Sequence, residues 1–298
     1  MRRILFSSLV SDLNKTADLS KRAALDAPTT GSRRRVAGVG QVLLWSGGSL
    51  WIGRDAGRVE RHAHHAIQIA LAMDSRVRMA AGDDAWRDHR GAIVPPHLAH
   101  RFDGCGERTA MLFVEPETAQ GRALLERHGT SAIVDLGADA AEALVAPLRS
   151  AYLAGSSKET LIALGQSAIA ALAGRAPAHV GVDPRIGRAI AWLRGRLDAP
   201  ISLDEAAEIA NLSPSRFRHL FVAQTGVSFR AYLLWARVGT AVAAAMNGQS
   251  WTAAAQEAGF ADSAHLSRTC RRMFGFAPAT LRPEPPVGTA LSRDARSR

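Results

Sequence analysis

Residues Ser202-Leu-Asp-Glu-Ala-Ala-Glu-Ile-Ala-Asn-Leu-Ser-Pro-Ser-Arg-Phe-Arg-His-Leu-Phe221 spell a short helix, a tight turn and a second helix. Ser250-Trp-Thr-Ala-Ala-Ala-Gln-Glu-Ala-Gly-Phe-Ala-Asp-Ser-Ala-His-Leu-Ser-Arg-Thr-Cys270 spell the same thing again. The copies are offset by 48 residues at Ala207 and Ala255 and by 49 at Phe217 and Leu266, so the second turn is one residue longer. In the first copy Ala206, Ala207 and Ala210 keep the leading helix slim, which lets the next helix cross it closely at a steep angle. Asn211 stands where the turn needs a left-handed residue, a place taken by Gly259 in the second copy. Ser213 and Pro214 then supply a capping hydroxyl and a proline at the first helical position. Phe217, Leu220 and Phe221 follow as a buried stripe, and the same phase buries Leu266, Cys270 and Met273 in the second copy. Two such units in one chain can offer two reading helices to DNA without dimerisation. Residues 229–247 between them read as a helix with apolar Leu233, Leu234, Val238, Val242 and Met246. At about 1.5 Å per residue that helix spans roughly 28 Å, near the ~34 Å between successive major-groove faces.

Residues 183–282 resemble the DNA-binding domain of the AraC/XylS family of bacterial transcription regulators. The matching words are Ala-Asn-Leu-Ser-Pro-Ser-Arg-Phe-Arg-His-Leu-Phe at 210–221, Thr225-Gly-Val-Ser-Phe-Arg-Ala-Tyr232, Ala258-Gly-Phe-Ala-Asp-Ser-Ala-His-Leu-Ser-Arg268 and Arg272-Met-Phe-Gly-Phe-Ala-Pro278. The chain departs from the family at Asn211, where Gly is usual, and at Leu266 and Cys270, where Phe is common. The resemblance implies base-edge contacts from Ser215, Arg218 and His219 in the first unit and from Ser263, His265 and Arg268 in the second. Arg216, Arg230, Arg237, Arg271 and Arg272 fall to phosphates or to plain solvation. The implied partners are double-stranded promoter or operator DNA, RNA polymerase, a small-molecule effector and a second copy of the chain.

Charge agrees with a polyanionic partner: the formal net charge is +10 and the sequence pI about 10.9. Residues 183–282 carry 12 Arg and no Lys against 7 acidic residues, so the basic excess is shared with the rest of the chain. Two cysteines, Cys105 and Cys270, cannot make a disulfide framework, which fits a reduced, cytoplasmic setting. No run approaches the ~20 apolar residues that would span a membrane. Met1-Arg-Arg-Ile-Leu-Phe-Ser-Ser-Leu-Val10 faintly resembles a secretion signal, but its apolar stretch is short, no small-residue cleavage site closes it, and Asp12 and Lys15 follow at once.

In the N-terminal half, apolar runs at 41–45, 49–52, 66–71, 76–79, 91–94 and 110–114 are cut by Gly, Asp and Pro, the pattern of a small β-barrel. Gly57-Arg-Val-Glu-Arg-His-Ala-His64 and Gly91-Ala-Ile-Val-Pro-Pro-His-Leu-Ala-His100 resemble the two cupin signature segments. His62 and His64 are two apart and would share a strand face. With His100 they correspond to the three imidazoles of a cupin metal centre, but the carboxylate ligand of that family maps onto Gln68, a poorer ligand. His62, His64, Gln68 and His100 therefore read as lining an effector pocket, with no metal and no other cofactor. Residues 118–174 turn helical, and the stripe of Leu161, Leu164, Ala168 and Leu172 serves either dimerisation or packing back onto the barrel.

The expected fold is α+β and multidomain. A disordered leader (1–35) precedes a cupin-like effector-sensing and dimerisation domain (36–174), a linker (175–182), a double helix-turn-helix domain (183–282) and a flexible tail (283–298). The expected function is that of a sequence-specific transcription regulator, not an enzyme. The alternative is a cupin metalloenzyme fused to a DNA-binding domain.

Overall fold

Apolar runs between Gly38 and Val114 form strands β1 (Gly38–Trp45), β2 (Gly48–Asp55), β3 (Arg58–His62), β4 (Ile67–Ala72), β5 (Val77–Ala81), β6 (Arg87–His89), β7 (Gly91–Val94), β8 (His100–Asp103) and β9 (Arg108–Val114). The computed structural model describes residues 38–55, 57–174 and 182–284. The expected leader, residues 175–181 of the expected linker and residues 285–298 of the expected tail lie outside them. Every residue of β4 is buried, which is why it reads as an apolar run interrupted only by Gln68 and not as an alternation.

The strands make two sheets, β10-β7-β4-β9-β2-β1-β11 and β3-β8-β5-β6, where β10 is Val134–Asp135 and β11 is Leu281–Pro283. Among the described residues no strand of one sheet pairs with a strand of the other, so the expected barrel does not close. The lateral edges of the large sheet are already taken, one by β10 and the other by β11. β11 runs parallel to β1, with Gly38 opposite Leu281 and Gly40 opposite Pro283. The amide of Glu284 donates to the Gly40 carbonyl at 3.1 Å and Tyr152 Oη donates to its carboxylate at 2.7 Å. The sequence boundary at 282/283 thus falls inside a strand.

Helices α1 (Ala119–His128), α2 (Ala138–Leu153) and α3 (Lys158–Ala173) follow the sheets. Leu161, Ala168 and Leu172 of α3 share one core with Leu50, Ile52 and Leu112 of the large sheet, and Leu164 is partly buried against it. The stripe that could have mediated dimerisation is used inside the chain.

The C-terminal helices are α4 (Pro184–Arg194), α5 (Leu203–Ile209), α6 (Pro214–Thr225), α7 (Phe229–Met246), α8 (Trp251–Glu257) and α9 (Ser263–Phe274). The two turns repeat bond for bond. Asn211 N donates to Glu208 O and Leu212 N to Ala207 O; Gly259 N donates to Gln256 O and Phe260 N to Ala255 O. Asn211 has φ 53° and Gly259 φ 74°. Asn211→Gly should therefore be neutral or stabilising, whereas Asn211→Val should cost about 1–2 kcal/mol in urea denaturation. An unchanged Val variant would contradict the left-handed turn.

The two units differ in what they pack against. Phe217, Phe221, Phe229 and Tyr232 sit with Ala206, Ala207 and Ala210 in a core of their own. Val242, Ala255, Leu266, Cys270 and Phe274 instead share a core with Val42, Trp51 and Phe113 of the large sheet. The second unit is welded to the sheet by apolar contact. Among the described residues no helix is long and apolar enough to cross a membrane.

Candidate nucleic-acid interface and interdomain pocket

Each second helix is capped at both ends. Ser213 caps α6 by accepting from Arg216 N, and the Asp262 carboxylate caps α9 by accepting from His265 N at 2.6 Å. Both helices stop at a left-handed glycine, Gly226 and Gly275. Ser215, Arg216, Arg218 and His219 are exposed on α6, and Arg268 and Arg272 are exposed one turn apart on α9. Ser263 and His265 are partly buried, with the His265 ring edge-on to Phe260 at 5.2 Å. The stripe of α9 is Leu266, Thr269, Cys270 and Phe274; Met273, expected in it, is only partly buried.

Arg237 is a correction. Its Nε donates to Leu197 O at 3.0 Å and its Nη2 to Ala199 O at 2.8 Å, so it ties α7 to the segment after α4 and faces no phosphate. Gly259 is needed beside it, because a Cβ there would lie 2.1 Å from the Leu197 carbonyl.

The histidines meet at the other end of the second unit. His62 ends β3 and stands opposite His100 in the β3–β8 register, with ring centroids 4.2 Å apart. His64 lies beyond the strand end, in the connection to β4. It reaches both rings because that connection folds over them, at 5.6 Å and 5.1 Å, and not because it shares a strand face with His62. Each Nδ1 sits against a backbone carbonyl: Glu60 O at 2.8 Å, Ala66 O at 2.8 Å and Leu98 O at 2.9 Å. A neutral ring has one proton, so all three carry it on Nδ1 and aim an Nε2 lone pair inward. Burial, then repulsion among the rings, lowers His62 to about 4 and His64 and His100 to about 3. The Gln68 amide lies 3.0 Å from His64 Nε2 and 3.1 Å from His100 Nε2. The ligand atoms of the three histidines lie within 4.8 Å of one another. Three imidazole nitrogens and an amide oxygen fit a divalent first-row metal as donors, though none is anionic.

A cavity partly open to solvent, with about 60 Å³ of room for water-sized molecules, adjoins this cluster. His62, Gln68 and Trp51 line it from the sheets, and Met246, Phe274 and Leu281 line it from the C-terminal elements. The lining is mostly apolar with a few polar groups, the composition of a small-molecule site.

A family model described as a helix-turn-helix domain matches residues 206–284, a span that runs from within α5 to just past β11. A solved regulator from Chromobacterium violaceum with an AraC-type DNA-binding domain is 24% identical over 32% of this chain and 87% of its own, with TM-score 0.31. The C-terminal part of the chain carries a helix-turn-helix domain. An apo ToxT variant from Vibrio cholerae is 9% identical over 80% of this chain and 97% of its own, with TM-score 0.51, a likeness of fold. Wild-type ToxT with a bound unsaturated fatty acid gives TM-score 0.47 at 10% identity, over 78% of this chain and 92% of its own. No curated protein sequence matches the chain.

A polar cluster that the sequence did not reveal joins the large sheet to the first helix-turn-helix unit. Glu115, just past β9, forms an ion pair with Arg194 of α4 and accepts from Tyr232 Oη of α7 at 3.2 Å. Arg194 also donates to Tyr232 Oη at 3.1 Å. Beside them His65 and Glu117 pair at 3.0 Å, both almost fully buried. Burial pushes the Glu115 carboxyl above the usual carboxylate range even with Arg194 against it. Two acids directly after an apolar strand were the available signal; their partners, dozens of residues away, were not readable.

Proposed function

We propose that the chain reads operator DNA with α6 and α9 and that a small molecule in the interdomain cavity sets how well it does so. The shared cavity carries this reading. Its walls come from both halves of the chain, so an occupant makes different contacts in any two arrangements of the halves, which is what a ligand needs to shift their equilibrium. On this reading residues 36–174 sense the effector through His62, His64, Gln68 and His100 and self-associate, while residues 183–282 bind DNA as one half of a homodimer. Ser215, Arg218, His219, Ser263, His265 and Arg268 face base edges; Arg216 and Arg272 face phosphates. The chain works in the cytoplasm, beside RNA polymerase at a promoter, by binding and not by turnover.

The test separates two arginines one turn apart. Arg268→Ala should weaken operator binding by about 1–3 kcal/mol and relax preference at one or two base pairs. Arg272→Ala should weaken operator and scrambled DNA alike and reduce the salt slope by about one. Competition binding across a salt series reads both. Equal loss of specific and non-specific affinity in Arg268→Ala would show that α9 clamps the backbone and does not read sequence.

A further inference from the structure

The turn positions of the two helix-turn-helix units share a backbone conformation but not a constraint. Asn211 and Gly259 are both left-handed, at φ 53° and 74°, so the turn alone accepts asparagine. Asn211 is exposed, whereas a Cβ at Gly259 would lie 2.1 Å from Leu197 O and 2.8 Å from the Arg237 guanidinium. Leu197, in the connection between α4 and α5, packs against the core of the first unit. Arg237 reaches out from α7 and donates to Leu197 O at 3.0 Å and to Ala199 O at 2.8 Å. The first unit, the connecting helix and the turn of the second unit therefore meet at one point. Among the described residues α4, α5 and α6 make no extended contact with α8 or α9. The connecting helix changes surroundings at this same level. Phe229, Tyr232, Leu233 and Ala236 belong to the core of the first unit, and Val238, Ala241, Val242 and Met246 to the core shared with the large sheet. Gly239 stands just past the change, where a Cβ would meet nothing within 4 Å. No close approach calls for glycine there, and glycine in a helix interior loosens the helix relative to alanine.

We propose that Arg237 and Gly259, closed on the Leu197 and Ala199 carbonyls, form a brace that fixes the separation of α6 and α9 and thereby the spacing of the two DNA segments they read. This rests on the reading that both helices enter DNA. Arg237 and Gly259 are positioning residues in it and touch no base. The planar fork of a guanidinium can hold two carbonyls in one fixed geometry, which the compact ammonium of lysine cannot. The missing side chain at position 259 lets Leu197 come close. Any Cβ there would push the two units apart by about 1 Å or more before ordinary contact is reached. Successive base pairs stand about 3.4 Å apart along the duplex, so a braced pair of helices tolerates one spacing and rejects its neighbours. Without the brace the separation is left to α7, which is loosened at Gly239.

The test uses the full chain and a pool of random duplexes, from which the wild type should select a site with two sequence elements about one helical turn apart. Affinity is then measured on that site, on copies with one base pair added or removed between the elements, and on a duplex carrying one element alone. The wild type should bind the altered spacings at least tenfold more weakly. Arg237→Lys and Gly259→Asn, checked for folding by circular dichroism, should discriminate less than threefold and bind the single-element duplex as the wild type does. Gly239→Ala added to Arg237→Lys should return part of the discrimination, because it stiffens the connecting helix. Arg237→Lys decides by itself should Gly259→Asn not fold. Tenfold discrimination retained by Arg237→Lys, or an equal loss on every duplex including the single element, would overturn the brace and leave the DNA reading standing. A wild type that selects one element, or none, would overturn both.

Discussion

Arg194→Ala is expected to lower the unfolding free energy by about 3–5 kcal/mol, because it strands the Glu115 carboxylate where water cannot reach it. Glu115 is 6% exposed, and its remaining partner would be the Tyr232 hydroxyl at 3.2 Å. A neutral hydroxyl offers one hydrogen bond and no compensating charge. Glu115 can escape by taking a proton, since burial already raises its pKa and Arg194 would no longer oppose that. A carboxyl whose folded pKa lies above its unfolded value contributes stability below the unfolded pKa and loses it as pH rises. The gap between variant and parent in urea denaturation should therefore narrow from pH 7.5 to pH 5.5. Adding Glu115→Leu to Arg194→Ala should recover most of the loss, as replacing a whole buried pair by apolar groups is often neutral. A single-variant cost below about 1 kcal/mol would show that the pair is solvated and does not lock the first helix-turn-helix unit to the sheet.

The helix-turn-helix units were legible because their determinants are local. The cap at Ser213, the left-handed residues at 211 and 259 and the stripes at helical spacing all act within one or two turns and appear in the structure, except that Leu220 and Met273 are only partly buried. Long apolar strands were legible for the same reason. Strand β6, Arg87-Asp-His89, carries no apolar run and exists by pairing with β5, a contact no local pattern announces. β11 likewise depends on the free edge of β1, far away in sequence. Arg237 looked like its exposed neighbours until the carbonyls of Leu197 and Ala199 were placed beside it. The three histidines and Gln68 were legible as one group, but the tautomers were not. Their tautomers depend on where three backbone carbonyls fall.

Burial of these three rings makes the chain acid-sensitive well above the range in which carboxylates titrate. His62, His64 and His100 have folded pKa values of about 4, 3 and 3, against an unfolded value of 6.5. Between these limits the unfolded chain binds protons that the folded chain refuses, so stability is complete above pH 6.5 and falls as pH drops toward 4. Each imidazole contributes up to about 1.4 kcal/mol per pH unit. The three together should remove on the order of 4 kcal/mol between pH 6.5 and pH 5, a large fraction of a typical domain's stability. Urea denaturation at half-unit pH intervals, with chelator present, measures the slope. His100→Gln, which removes one titrating ring, should flatten it by about a third. A slope near zero from pH 6.5 to 5 would mean that water enters the cluster and the imidazoles protonate in place. Carboxylates released from ion pairs cannot mimic the expected profile, because those of Asp74, Asp135 and Glu142 are held below their ordinary values and lose their contribution only at more acid pH.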